Sequence, residues 1–438
     1  MEKTTLKFLD DILNMFLDIK GVPGFSVAIW EKGKVVFDKS YGLANIKTKE
    51  KLSPKHKFHI ASHSKTFTAA AIMKLALSGQ LSLDDKISKY IPEAKKSYNK
   101  ITIRHLLGHL GGVYRDGYDD SNYWETFRKF PEKSEILDIL ETTTPVIKPN
   151  YRFKYSNFGF SLLGMIIENV SGKGFEDYIR SNIIENHPDI SPSYNSNAKP
   201  YTYGHTNKNT YGKFYPVRPD IDARDFNAAG GFCTTASALC KFYGDLMTGK
   251  ILPKKAVAEL TKATTEVPQD PNVKYGLGYR SYFIDKLRWI GHGGAMQGQL
   301  SRTIFNPEKQ LVISVMCNNH NSDEGGLSAM IAKLITSNHK NFKYLGLFYG
   351  LWRRTCFFTA NNRLYRFCPD EATDILYNNY AEKNTKGEWI TKECAGGDSY
   401  GEKIEIISKD HINLYGRNIY TKQKFTDNMK MKSLYVEF

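Results

Sequence analysis

No stretch of this 438-residue chain approaches the roughly 18 consecutive apolar residues that a bilayer-spanning helix needs. Cysteine is scarce and scattered. Cys233, Cys240, Cys317, Cys356, Cys368 and Cys394 form no Cys-x-x-Cys pair, which argues against a disulfide framework and against structural zinc. They read as buried small hydrophobes. Internal repeats, low-complexity tracts and runs of five basic residues are also missing, although the formal net charge is +15. Charge spread so evenly reads as a solvated lysine-rich surface, and no helix-turn-helix, zinc-finger or RNA-recognition signature accompanies it. The first residues lack the basic start, unbroken apolar run and cleavage site of a secretory signal. The expectation is a cytoplasmic protein with neither membrane nor nucleic acid as partner.

What is present is an ordinary globular composition, 41% hydrophobic and 24% charged with a mean hydropathy of −0.45, in a chain longer than one core usually serves. Leu6, Leu9, Ile12, Leu13, Phe16 and Leu17 alternate with Asp10, Asp11 and Asp18 as an amphipathic helix does. Phe25–Trp30 and Lys34–Phe37 around Glu31-Lys32-Gly33 read as a hairpin. Thr66–Leu77 is apolar nearly all round, a buried helix stopped by Gly79. Further helices fit Phe158–Val170, Ala236–Met247 behind Thr234-Thr235, and Leu327–Ile335. Strands fit Tyr275–Tyr282, Leu287–Ile290, Leu300–Phe305 and Leu311–Cys317. After about residue 340 the short runs Cys356–Phe358, Leu364–Phe367, Ile375–Tyr377, Lys403–Ile407 and Ile412–Tyr415 read as a small barrel or sandwich. The predicted fold class is α/β (α+β): a catalytic domain over 1–338, its sheet closed by strands from both ends, and a small all-β barrel-like domain over 339–438.

The sharpest chemical feature is Ser62-His63-Ser64-Lys65 at the start of the buried helix. A serine hydroxyl needs an adjacent base to become a nucleophile. Three residues apart on a helix, Ser62 and Lys65 share a face, and burial would lower the lysine's pKa into a useful range. The motif alone is weak, since Ser-x-x-Lys recurs at Ser97/Lys100, Ser196/Lys199 and Ser337/Lys340, and a serine near a helix start commonly caps its own backbone. Two other segments add weight. Tyr155-Ser156-Asn157 precedes a helix and offers a phenol for proton shuttling and an amide for orienting substrate. Gly291-His292-Gly293-Gly294-Ala295 follows a strand and reads as a tight turn whose glycines let backbone approach a ligand.

Ser-x-x-Lys, then Tyr-x-Asn 93 residues on and His-x-Gly 137 residues after that, resembles the serine β-lactamase and penicillin-binding-protein superfamily. The likeness is strongest to its branch of class C β-lactamases, esterases and D-aminopeptidases. It covers about residues 20 to 335, helped by Ile101–Leu107, Ala229–Phe232 and Tyr275–Gly278. The resemblance implies a β-lactamase/transpeptidase-like antiparallel sheet flanked by helices, with a helical subdomain. It also implies catalytic roles for Ser62, Lys65, Tyr155 and His292: Ser62 is acylated, Lys65 and Tyr155 move protons, and His292 stabilises the Tyr155 hydroxyl or a substrate carboxylate. Asn157 would hold the substrate's amide. Gly293, Gly294 and Ala295 would line the substrate, the Ala295 N–H joining that of Ser62 in an oxyanion hole. No metal or other cofactor is implied.

Three departures matter. Gly108-His109-Leu110-Gly111-Gly112 replaces a segment that usually carries Thr and Ser, and His63 is an unusual neighbour for the serine, either exposed or touching substrate. Histidine instead of lysine in the third motif disfavours β-lactam hydrolysis. The first expectation is a D-aminopeptidase-like amidase, although that family carries two barrels and this chain has room for one. A carboxylesterase acting on small acyl esters is the second reading, and a non-catalytic binding protein the third. The partner is then a small molecule or short peptide, and a homo-oligomer is compatible with the sequence.

Overall fold

The computed structural model describes residues 3–117, 130–195, 200–217, 220, 223, 226–268, 270–320, 322–337, 340–349, 354–367, 380–393, 401–414 and 418–422. The chain divides into two compact units, Val22–Glu324 and Met1–Gly21 with Gly325–Phe438. The amphipathic N-terminal helix, Lys3–Lys20, falls in the same unit as the C-terminal segment from Gly325.

Unit Val22–Glu324 is built on nine antiparallel strands. They are β1 (Gly24–Glu31), β2 (Lys34–Asn45), β3 (Glu50–Lys51), β4 (Thr265–Val267), β5 (Asp270–Tyr275), β6 (Arg280–Ile284), β7 (Leu287–Met296), β8 (Gln299–Asn306) and β9 (Leu311–Cys317), in the order β3-β2-β1-β9-β8-β7-β6-β5-β4. The centre joins the first strand to the last, Phe25 opposite Cys317 and Glu31 opposite Leu311. β9 is buried at every position, so its Leu-Val-Ile-Ser-Val-Met-Cys run does not alternate.

Three helices carry the site. Helix α1 (Ser64–Leu77) runs out of a tight turn over Ala61–His63 and is buried from Ser64 to Met73. Helix α2 (Asn157–Ser171) starts where Ser156 Oγ accepts the Gly159 N–H at 2.8 Å and stops at Gly172. Helix α3 (Ala236–Thr248), capped by Thr235, packs over β1 and β9. Phe67 of α1 stacks on Phe232 at 4.6 Å and meets Phe242 of α3 at 4.3 Å.

Two readings of the sequence need correction. Tyr275–Tyr282 is two strands, broken where Gly278 takes a φ of 82° and lies so close to α1 that a Cβ would meet Ala69 Cβ at 2.7 Å. The segment after Ile290 is no turn, since β7 runs on through Met296 in register with β8, His292 opposite Thr303 and Ala295 opposite Leu300. Its glycines permit close approach within an extended strand. Just before the nucleophile turn, Phe58-His59 forms a short strand paired with Cys233-Thr234.

The other unit holds a closed barrel of eight strands: Lys343–Tyr349, Arg354–Ala360, Arg363–Phe367, Tyr380–Lys383, Trp389–Glu393, Lys403–Ile406, His411–Leu414 and Asn418–Thr421. Tyr349 opposite Thr421 closes it. Its core is Phe348, Phe357, Leu364, Ala381, Ile404, Ile412 and Leu414. The helix Lys3–Lys20 lays Phe8 against Phe342, Tyr344 and Phe358, while Asp11 accepts from the Tyr344 hydroxyl and Asp18 pairs with Arg354. The expected strand Ile375–Tyr377 lies outside the described residues, as do Cys368 and Cys394. Cys233, Cys240, Cys317 and Cys356 are buried thiols, and no disulfide joins them. Among the described residues no helix is long and apolar enough to cross a membrane, and no three His, Cys, Asp or Glu gather as metal ligands.

Candidate active site

Ser62 sits in the turn that feeds α1, and that turn is held from three sides. The Ile60 N–H donates to Phe232 O at 3.0 Å, and Ser64 Oγ donates to Ala61 O at 2.6 Å while accepting the Phe232 N–H at 3.1 Å. Gly294 of β7 lies against it so closely that a Cβ there would sit 2.0 Å from Ile60 O. Ala61 is left with a φ of 45°, the left-handed conformation that a residue with a Cβ adopts only when its surroundings impose it.

Lys65, one turn on, has no exposed surface. Its Nζ reaches Asn157 Oδ1 at 2.6 Å, Ala229 O at 2.7 Å and Ser62 Oγ at 3.2 Å. Burial holds its pKa well below the ordinary lysine value, against the opposing pull of Asp116, because taking the ammonium out of water is costly. The three contacts fit the neutral amine. Its two N–H bonds go to the amide and carbonyl oxygens, which can only accept, and the lone pair faces the one partner that carries its own proton. Tyr155 completes the group, its hydroxyl donating to Ser62 Oγ at 2.7 Å. Burial raises the phenol's pKa, while the Ser62 hydrogen bond and Arg280 and Arg115 pull it down.

Asn157 is already engaged within the protein. Its Oδ1 accepts from Lys65 and its Nδ2 donates to Asp116 Oδ1 at 2.6 Å, while Asp116 Oδ2 pairs with Arg115 at 2.7 Å. The Arg115 carbonyl accepts the Asn157 and Phe158 N–H groups at the start of α2. The Asn157 side chain therefore orients the lysine.

His292 also departs from its expected contact. It is buried, its Nδ1 bonds Gly293 O at 2.6 Å and its Nε2 meets the Tyr275 hydroxyl at 3.1 Å; its hydrogen-bond partners are these two, and Tyr155 is not one of them. Since a carbonyl oxygen only accepts, the proton sits on Nδ1 and the Tyr275 hydroxyl donates to Nε2. Burial, with Arg280 second, keeps this imidazole neutral. Gly293 backs onto the Arg302 guanidinium, Gly294 onto Ile60, and Ala295 is exposed at the rim. His63 is neither exposed nor open to substrate. It has no exposed surface, its Nδ1 pairs with Ser301 Oγ at 2.9 Å, and burial, with Arg302 second, pushes its pKa down to about 3.

Four residues that sequence reasoning did not single out as functional stand around this group. Asp116 orients Asn157. Tyr275 holds His292. His109, flagged only as a departure, packs its ring on Tyr155 with centroids 4.3 Å apart. Arg280 of β6 keeps its Nε buried without an acceptor among the described residues and bears on the titration of Lys65, Tyr155 and His292. No local pattern marks Asp116 or Arg280. Tyr275 and His109 lie in stretches already noticed, yet their direction is set only by the fold.

A family model described as Beta-lactamase matches residues 9–335. Among characterised proteins the chain is 28% identical to protein flp of Staphylococcus aureus (strain MRSA252) over 318 residues, 71% of this chain and 62% of that protein. It thus spans less than two thirds of that relative's length. Among solved structures it is similar to the octameric penicillin-binding protein homologue from Pyrococcus abyssi, with a TM-score of 0.68, 21% identity and coverage of 95% and 100% of the two chains. It is likewise similar to the D-amino acid amidase from Ochrobactrum anthropi SV3, with a TM-score of 0.66, 22% identity and coverage of 75% and 98%. At these identities the structural likeness is one of fold.

Proposed function

The chain belongs to the beta-lactamase family, and from that premise we propose that it is a serine hydrolase that cleaves an amide of a D-amino-acid-containing compound, D-aminopeptidase-like, through a Ser62 acyl-enzyme. One observation carries the reading: Ser62 Oγ lies between the Lys65 amine at 3.2 Å and the Tyr155 hydroxyl at 2.7 Å. The lone pair of neutral Lys65 takes the serine proton as Oγ attacks the carbonyl carbon. Tyr155, whose hydroxyl faces the same oxygen, passes a proton to the departing nitrogen and recovers one from Lys65. Water then attacks the ester with the two residues in reverse order, releasing the acid and restoring Ser62. The Ser62 and Ala295 N–H groups would hold the oxyanion, each worth about 3 to 4 kcal/mol in comparable sites.

The fold likeness to a D-amino acid amidase favours the amide. A cytoplasmic setting is part of the same reading. The test is labelling with a fluorophosphonate, followed by turnover of D-alanyl and L-alanyl anilides and of short-chain nitrophenyl esters. Labelling of the wild type but not of Ser62→Ala, with faster cleavage of the D-anilide, is expected. Turnover of esters alone would replace this reading with a carboxylesterase, and absence of labelling would leave a binding protein on an enzyme's scaffold.

A further inference from the structure

We infer that His109 is the positioning residue of the Tyr155 phenol, an inference that rests on the proposed hydrolase reading. Three consecutive residues of the tyrosine segment are each held by this one histidine. The Lys154 N–H donates to the His109 carbonyl at 2.8 Å, the Tyr155 ring lies against its imidazole at 4.3 Å between centroids, and the Ser156 N–H donates to its Nδ1 at 3.2 Å. The phenol is thereby fixed in position along the chain, in ring plane and in the direction of the following turn. Phe153, Phe160 and Tyr275 enclose the imidazole on its other sides, at 5.5, 5.2 and 4.8 Å. The backbone meets the same demand: His109 takes a φ of 55°, a left-handed conformation in which histidine is one of the better-tolerated residues with a Cβ. An Nδ1 that accepts the Ser156 N–H cannot carry a proton, so the clamp requires the neutral ring. Burial holds the imidazole in that state.

His109 touches neither Ser62 nor a reacting atom, so its effect must pass through Tyr155. A misplacement of about 1 Å in a reacting group can cost on the order of 100-fold in rate. The experiment is a double-mutant cycle in the full chain, read as kcat and KM on the best anilide or ester, with thermal melting followed alongside. His109→Gly accepts the positive φ while removing ring and acceptor, and its kcat should fall about 10- to 100-fold with KM within about twofold. His109→Asn, which restores a short acceptor and tolerates the same backbone, should recover several-fold of that loss and keeps the test alive should the glycine variant not fold. In a Tyr155→Phe background, His109→Gly should cost almost nothing more, because the group it positions is gone. A loss in that background as large as in the wild type, or a KM effect with kcat unchanged, would overturn the inference. A Tyr155→Phe enzyme turning over like the wild type would instead sink the hydrolase mechanism itself, a separate outcome.

Discussion

Gly294→Ala tests the geometry of the nucleophile turn without touching any group that carries chemistry. The added Cβ would start 2.0 Å from Ile60 O and 3.0 Å from Ser301 Oγ. The serine hydroxyl can rotate away, but the carbonyl cannot, because its residue is tied to Phe232 and stands two places before Ser62. Strand β7 and the turn must therefore part by about 1 Å to reach tolerable contact. Overpacking on that scale costs roughly 1 to 3 kcal/mol of stability. The same displacement separates Ala295 from Ser62, whose N–H groups are proposed to share one oxyanion, and should lower the rate about 100-fold. The assay is the second-order rate of fluorophosphonate labelling at Ser62, with thermal melting and with Gly174→Ala as control. The new methyl of that control meets only an Asp177 carboxylate oxygen, at 3.8 Å. A Gly294→Ala enzyme that labels within twofold of the wild type and melts at the same temperature would refute the close-approach argument.

Other outcomes follow from the electrostatics and packing. Asp116 pulls the Lys65 pKa upward against burial, so Asp116→Asn should move the acid-side limb of the kcat/KM profile to lower pH; a shift to higher pH would reverse the assignment of Lys65 as base. Asn157→Asp sets a carboxylate where Oδ1 accepts from Lys65 at 2.6 Å, which favours the ammonium and should move that limb up by a unit or more. Burial depresses the Lys65 pKa in the folded state, so the unfolded chain binds more protons and this lysine's cost to stability shrinks as pH rises from the folded pKa towards about 10.4. The stability difference between Lys65→Met and the wild type, taken from urea melts at several pH values, should change in the wild type's favour over that range. Cys233, Cys240, Cys317 and Cys356 are buried, so a thiol reagent should modify at most two of the six cysteines before denaturant is added; a third would contradict the packing.

How far the sequence reached depends on where each signal is encoded. Helix limits were legible where their punctuation is local: Thr235 and Gly79 act within one turn of the residues they bound. Ser62 and Lys65 were legible as a pair because an i, i+3 spacing fixes proximity wherever the helix lies. Tyr155 needed the order of motifs, since nothing within its own segment sets it apart from 26 other tyrosines. The glycines of β7 were misread as a turn because glycine serves both sharp bends and close contacts, and only the Ile60 carbonyl pressed against Gly294 decides between them. Asn157, Asp116 and Arg115 form a chain of contacts reaching Lys65 across 92 residues, for which a single sequence has no signature. The amphipathic face of Lys3–Lys20 was plain, but which core it covers depends on Phe342, Tyr344 and Phe358 more than 300 positions later.

The junction of the first and last strands bears on how the enzyme is made. During translation Ser62, Lys65 and Tyr155 all leave the ribosome before β9 exists, and β1 waits with the edge that will accept Cys317 and Leu311 unpaired. Such a long-range closure is slow, and it leaves β1 exposed to non-native partners on the nascent chain. Catalytic competence should therefore appear abruptly, once synthesis has passed Cys317, and chains arrested before Leu311 should carry Ser62, Lys65 and Tyr155 yet show no hydrolysis at all.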